Sequence, residues 1–128
     1  MDNSLVLVVE DDQSIREMIQ VMLEDLFGVQ TLPAGDGREA LQIVAESMPV
    51  LVLLDIMLPG VDGFEVAKQL RASPATRHIP IIAVTASTSP EKAIACGCTD
   101  YIQKPFDLDL FLTKVRRHLL GQVQMAHC

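Results

Sequence analysis

The sequence predicts an α/β domain in which a parallel sheet is covered by helices on both faces. Two observations predict it. Five short apolar runs alternate with five helical patterns, and strict strand–helix alternation gives a parallel sheet with right-handed crossovers. Three of the runs are almost entirely apolar, the pattern of strands buried on both faces. The chain has 128 residues, which suits one domain over 1–128, with 122–128 expected as a frayed tail.

The first strand, 5–10, runs into Glu10-Asp11-Asp12. The helix after it carries Ile15, Met18, Ile19, Met22, Leu23 and Leu26 as one apolar stripe. Asp12 is expected to cap that helix. The second strand, 29–34, alternates and contains Pro33, so it belongs at an edge. Asp36-x-x-Glu39 and Asp62-x-x-Glu65 resemble capping boxes. The first precedes Ala40, Leu41, Val44 and Ala45; the second precedes Val66, Ala67 and Leu70. The third strand, 50–54, ends in Asp55, and the fourth, 79–84, in Thr85. Ser87-Thr88-Ser89 reads as a loop, and Ser89-Pro90 as a cap with Pro at the first helical position, opening a helix over about 90–96. The fifth strand, 100–103, ends in Lys104-Pro105. The last helix carries Leu108, Phe111, Leu112, Val115 and Leu119, with Asp107 as cap and Gly121 just past its end. Arg116-Arg117 would then oppose the macrodipole at its C-terminus.

Composition narrows the function. Hydrophobic residues make up 49% and aromatics 4%, so the core must be aliphatic. A formal charge of -7 repels phosphate backbones and anionic headgroups. Direct binding to nucleic acid or to a membrane is therefore not expected. Apolar runs such as Leu5 to Val9 and Val50 to Leu54 fall far short of the ~20 residues of a spanning helix. The N-terminus lacks the basic start of a signal peptide. Three cysteines, Cys96, Cys98 and Cys128, fit free thiols in a reducing compartment, so a cytoplasmic protein is expected. Cys96-x-Cys98 has no second ligand pair to make a metal site.

Ligands in such folds bind at the carboxyl ends of the strands. Glu10, Asp11, Asp55, Thr85 and Lys104 stand there. Two carboxylates ~4 Å apart repel by about 4 kcal/mol at an effective dielectric of ~20. A fold keeps such a cluster if a cation occupies it or if one acid is protonated, and oxygen ligands without His or Cys favour a hard cation such as Mg²⁺ or Mn²⁺. Carboxylates accept phosphoryl groups. Beside Asp55, a metal and Lys104 would screen the incoming charge, and the Thr85 hydroxyl would add a hydrogen bond.

Four segments carry a resemblance: Val8-Val9-Glu10-Asp11-Asp12; Leu53-Leu54-Asp55-Ile56-Met57-Leu58-Pro59-Gly60 with Asp62-Gly63; Pro80-Ile81-Ile82-Ala83-Val84-Thr85-Ala86; and Asp100-Tyr101-Ile102-Gln103-Lys104-Pro105-Phe106. In that order they resemble the receiver domain of two-component response regulators, over roughly residues 5–119. The resemblance implies a flavodoxin-like (βα)5 doubly wound sheet in the order 2-1-3-4-5. It implies that Asp55 is phosphorylated from a phosphohistidine on a sensor histidine kinase or histidine phosphotransfer protein. Asp11, Asp55 and the Met57 backbone carbonyl would bind Mg²⁺, with Glu10 acting mainly through water. Thr85 and Lys104 would contact the phosphoryl group. Tyr101 would be the switch aromatic that follows Thr85 and alters the surface of helix four, strand five and helix five. The Lys104-Pro105 bond would be cis. A regulatory phosphoacceptor of this kind assists its own phosphorylation and dephosphorylation but is not an enzyme.

The chain also departs from the family. Between Thr85 and Gly97 it is about three residues shorter than receiver domains usually are, close to one helical turn. Helix four is therefore short on the face that usually carries output, so partner choice or phosphorylation-dependent dimerisation is expected to differ. Met57 and Ser87 occupy positions that influence acyl-phosphate hydrolysis in the family. Met57 offers an attacking water no useful hydrogen bond, so slow self-dephosphorylation is expected. A flavin-binding flavodoxin-like domain would need a Gly-, Ser- and Thr-rich first loop, where Glu-Asp-Asp-Gln-Ser stands. An aspartyl-phosphate hydrolase would need a carboxylate at Met57. A receiver-like interaction module that is never phosphorylated is the remaining alternative. No output domain is read after Gly121, leaving a stand-alone regulator, a relay intermediate and a fragment as the choices.

Overall fold

The structure, a computed structural model, describes residues 4–58, 60–86, 90–105 and 107–127, the side chains of 90 and 120–127 excepted. Ser87-Thr88-Ser89, Pro59 and Phe106 thus lie outside the described residues.

Strands β1 (Leu5–Val9), β2 (Gln30–Ala34), β3 (Leu51–Leu54), β4 (Ile81–Thr85) and β5 (Asp100–Gln103) form one parallel sheet in the order β2-β1-β3-β4-β5. The three nearly apolar runs are its three interior strands. Pro33 lies on β2, at an edge, where a missing N–H costs least.

Five helices alternate with them: α1 (Gln13–Phe27), α2 (Gly37–Ser47), α3 (Gly63–Ala72), α4 (Pro90–Ala95) and α5 (Leu108–His127). The period-2 alternation of the strands decides which helices meet which face. Leu7, Val9, Val52, Leu54, Ile81 and Ala83 pack with Ala40, Val44, Val66, Ala67, Leu70 and Ala93 of α2, α3 and α4. Val6, Val8, Leu51, Leu53, Ile82, Val84 and Ile102 pack with Ile19, Leu23, Phe111 and Val115 of α1 and α5. The core is thus aliphatic on both sides, with Phe111 the one fully buried large ring among the described residues.

The α1 stripe is narrower than its spacing suggested. Ile19 and Leu23 are buried, but Met18 is 49% and Leu26 58% exposed. A single sheet face covers about one side of a helix, and these two residues lie at its margins. Asp12, Asp36 and Asp62 cap α1, α2 and α3 by accepting from the N–H groups of Ile15, Glu39 and Glu65, each worth about 1 kcal/mol. The return arm of the capping box is not made. Glu39 accepts from Gly35 N–H, one residue before the cap, and Glu65 accepts from Gln69. Asp107 caps α5 through Asp109 and Leu110. That helix continues through Gly121 to His127, so Arg116 and Arg117 stand mid-helix and not at a C-terminus. Arg116 lies over the Phe27 ring, 5.9 Å from its centroid. Helix α4 is short, as the spacing required. No helix among the described residues is long and apolar enough to cross a membrane.

Candidate functional site

The site is assembled where the strand ladders run out. Glu10 N–H donates to Ala34 O at 3.0 Å, and Asp55 N–H to Val9 O at 3.0 Å. Lys104 N–H donates to Thr85 O at 2.8 Å. These bonds extend the parallel ladders by one residue and hold Glu10, Asp55, Thr85 and Lys104 along one edge. The Lys104-Pro105 bond is cis.

Carboxylate oxygens of Glu10, Asp11 and Asp55 lie within 4.8 Å of one another. Glu10 and Asp55 are buried, at 3% and 6% exposure, and Asp11 is exposed. Lys104 Nζ bonds Glu10 Oε1 and lies 3.0 Å from Asp55 Oδ2. The other oxygens are also met: Glu10 Oε2 accepts from Asp12 N–H at 3.1 Å, and Asp55 Oδ1 from Met57 N–H at 3.0 Å. Burial pushes the Glu10 carboxyl above its ordinary range, against the pull of Lys104 and the Asp12 N–H, and the Asp55 charge adds to the rise. Burial pulls the Lys104 ammonium down, but its bonds to Glu10 and Asp55 outweigh that, and the net shift is upward. Lys104 therefore stays charged at neutral pH. One ammonium among three carboxylates leaves the cluster anionic, as a divalent-cation site must be.

Thr85 is fully buried at the end of β4. Tyr101 is half-buried against the α2–α3–α4 side of the core. Its Oη is buried with no hydrogen-bond partner among the described residues. Desolvation raises the phenol, and Glu91 adds to it. The site residues named from the sequence thus fall on one sheet edge, with Tyr101 behind it on β5, paired with Ala83 two positions before Thr85. Cys96 and Cys98 are free, and Cys98 is buried with its thiol pushed up to about 11, so it is a neutral core residue.

Two arginines were missed. Arg71, on α3, donates to Gly97 O, Arg77 O, Ile79 O and Thr99 Oγ1, tying α3 to the starts of β4 and β5. Arg16 Nη1 donates to Glu10 O at 2.8 Å. A signal for Arg16 existed: it is a cation near the start of a helix, where the macrodipole disfavours one.

A five-stranded doubly wound sheet with an acidic, lysine-bridged cleft at its carboxyl edge defines a domain class able to hold a hard cation beside an anion. The family described as the response regulator receiver domain matches residues 6–116. The chain belongs to that family. DNA-binding response regulator MtrA of Mycolicibacterium paratuberculosis is 41% identical over 117 residues, covering 89% of this chain and 50% of its own. The chain thus spans about half the length of the curated relatives it matches. A Francisella response regulator receiver domain superposes with a TM-score of 0.84 at 31% identity, over 94% of this chain and 99% of that one. The receiver domain of a Pseudomonas aeruginosa sensor histidine kinase, solved with a magnesium ion coordinated in its active site cleft, gives 0.81 at 30% identity, over 90% and 96%. Receiver domains bind a divalent metal in an acidic pocket and interact with histidine kinases.

Proposed function

We propose that Asp55 accepts a phosphoryl group from a phosphohistidine on a sensor histidine kinase or histidine phosphotransfer protein. A carboxylate oxygen of Asp55 forms the new P–O bond, the P–N bond breaks, and the imidazole leaves. The observation that carries the reading is Asp55 itself: nearly buried, within 4.8 Å of two further carboxylates, and 3.0 Å from the Lys104 ammonium. Glu10, Asp11, Asp55 and the Met57 carbonyl would hold Mg²⁺, which would neutralise charge developing on the phosphoryl oxygens. Lys104 moves from balancing two carboxylates to balancing the phosphoryl group. The Thr85 hydroxyl bonds a phosphoryl oxygen, and Tyr101 follows Thr85 to alter the surface of α4, β5 and α5. The buried, unbonded Tyr101 Oη supports that role, because a ring so held gains nothing polar by staying. The place of work is the cytoplasm.

Helix α4 supports a change in output as well. Its six residues leave less of the α4–β5–α5 face than usual, so partner choice or dimerisation there differs. Phosphorylated protein that dimerised through α4, β5 and α5 as receiver domains usually do would contradict this. The phosphoacceptor assignment is tested by incubating the chain with Mg²⁺ and a small phosphodonor and following intact mass. One phosphoryl group is expected on the parent and none on Asp55→Asn.

A further inference from the structure

Glu10 is fixed at more points than its place in the ladder requires. Its N–H is held by Ala34 O, its two carboxylate oxygens by Lys104 and by Asp12 N–H, and its carbonyl by Arg16. The last contact is the unusual one. The β1 ladder ends at Val9, so the Glu10 carbonyl is the first without a strand partner. A helix N–H or a water could have met it. Instead the chain brings back a guanidinium from α1, six residues on. The head passes close to the β2–α2 turn, with Nη1 3.6 Å from where a Cβ on Gly35 would sit. Its Nε is buried, with no hydrogen-bond partner among the described residues. A buried donor left unmet, on a cation near a helix N-terminus, is doubly unfavourable. The arrangement persists because the Glu10 carbonyl holds the head there.

We infer that Arg16 is a positioning residue for the divalent-cation site, acting through the Glu10–Asp11 peptide. That peptide plane joins two of the three acids. Fixing its carbonyl fixes the direction in which the chain leaves Glu10 and enters Asp11, and so the spacing of their carboxylates. Partners behind metal ligands act in this way, and their loss costs about 10–100-fold in metal affinity. The inference rests on the reading of Glu10, Asp11 and Asp55 as the cation's ligands.

The sign of the effect separates positioning from charge. Removing a cation beside a cation site should tighten metal binding if charge alone mattered. Removing a positioning contact should weaken it. The experiment is a calorimetric Mg²⁺ titration of the full chain and of Arg16→Met and Arg16→Gln, well below each thermal midpoint. Arg16→Met keeps most of the apolar stem. Arg16→Gln keeps a polar head too short to reach the carbonyl, and gives the reading if the methionine variant does not fold. About tenfold weaker Mg²⁺ binding is expected in both. Unchanged or tighter binding in a folded variant overturns the inference, even if its thermal midpoint has dropped. Phosphorylation of Asp55 is scored separately on the parent. A parent that binds Mg²⁺ but takes no phosphoryl group removes the proposed function and leaves the role of Arg16 standing. A parent that binds no Mg²⁺ removes the ligand set and this inference with it.

Discussion

The Lys104 ammonium stands 3.0 Å from the Asp55 carboxylate. The same nitrogen bonds Glu10, so one side chain from the end of β5 balances acids from the ends of β3 and β1. Lys104→Met would leave two buried carboxylates facing each other without a cation. Breaking a buried pair from one side costs about 3 kcal/mol or more. Urea unfolding in chelator should show that loss, and Mg²⁺ should restore more stability to the variant than to the parent. Equal stability of variant and parent in chelator would show that Lys104 is not what holds these acids together.

Gly63 underlies the Asp55 loop. A Cβ there would meet Ile56 Cα at 2.5 Å and Asp55 O at 2.6 Å, both backbone atoms that cannot swing aside. Gly63 N–H also donates to Ile56 O at 2.9 Å. Gly63→Ala should therefore cost about 1–3 kcal/mol in overpacking and weaken Mg²⁺ binding, because Asp55 must move. Chemical denaturation and a metal titration check the two effects together.

Asp100 gives the clearest pH signature. Burial raises its carboxyl, but bonds from Lys114, the Tyr101 N–H and His118 outweigh that, so the net shift is downward from 3.8. A depressed carboxylate contributes stability that is present above its unfolded value and lost as pH falls through the folded one. Asp100→Asn should therefore be less stable than the parent by about 1 kcal/mol at pH 6. The gap should shrink at pH 3. A gap that persisted or widened at pH 3 would assign the stabilisation to something other than the ionised carboxylate.

Much of this was legible in the sequence because the periodicities were strong. β1, β3 and β4 read as interior strands from their almost entirely apolar runs, and Pro33 marked β2 as an edge. Asp11, Asp55, Thr85 and Lys104 were legible as strand-end residues, since a parallel sheet gathers such residues on one side. Pairing across the edge was less so. Asp55 and Lys104 are 49 residues apart, and Glu10 and Lys104 are 94 apart, and only the closed ladder shows that one ammonium reaches both. Periodicity sets the angle of a stripe but not the width that the neighbour covers, which is why Met18 and Leu26 were expected inside and lie out. Gly121 was a sound helix stop by local propensity, yet α5 runs through it. The returning arms of Glu39 and Glu65 depended on competing donors, Gly35 and Gln69, which the motif alone does not rank.

Met57 is expected to bear on the lifetime of the proposed phosphorylated state. Its side chain is 63% exposed and its N–H is spent on Asp55 Oδ1. No polar group at that position orients a water toward the acyl phosphate. Met57→Asn supplies one and should shorten the phosphoryl lifetime severalfold, followed by loss of phosphorylated mass after donor removal. A parent that lost its phosphoryl group as fast as the variant would contradict this.

The most direct measurement on the central claim is reductive trapping. Borohydride reduces an aspartyl phosphate to homoserine at the residue that carried it. After incubation with Mg²⁺ and a small phosphodonor, peptide sequencing by mass should find homoserine at position 55 and nowhere else. It should be absent from Asp55→Asn and from parent kept in chelator. Homoserine at another acidic position, or none at all in Mg²⁺, would contradict the account.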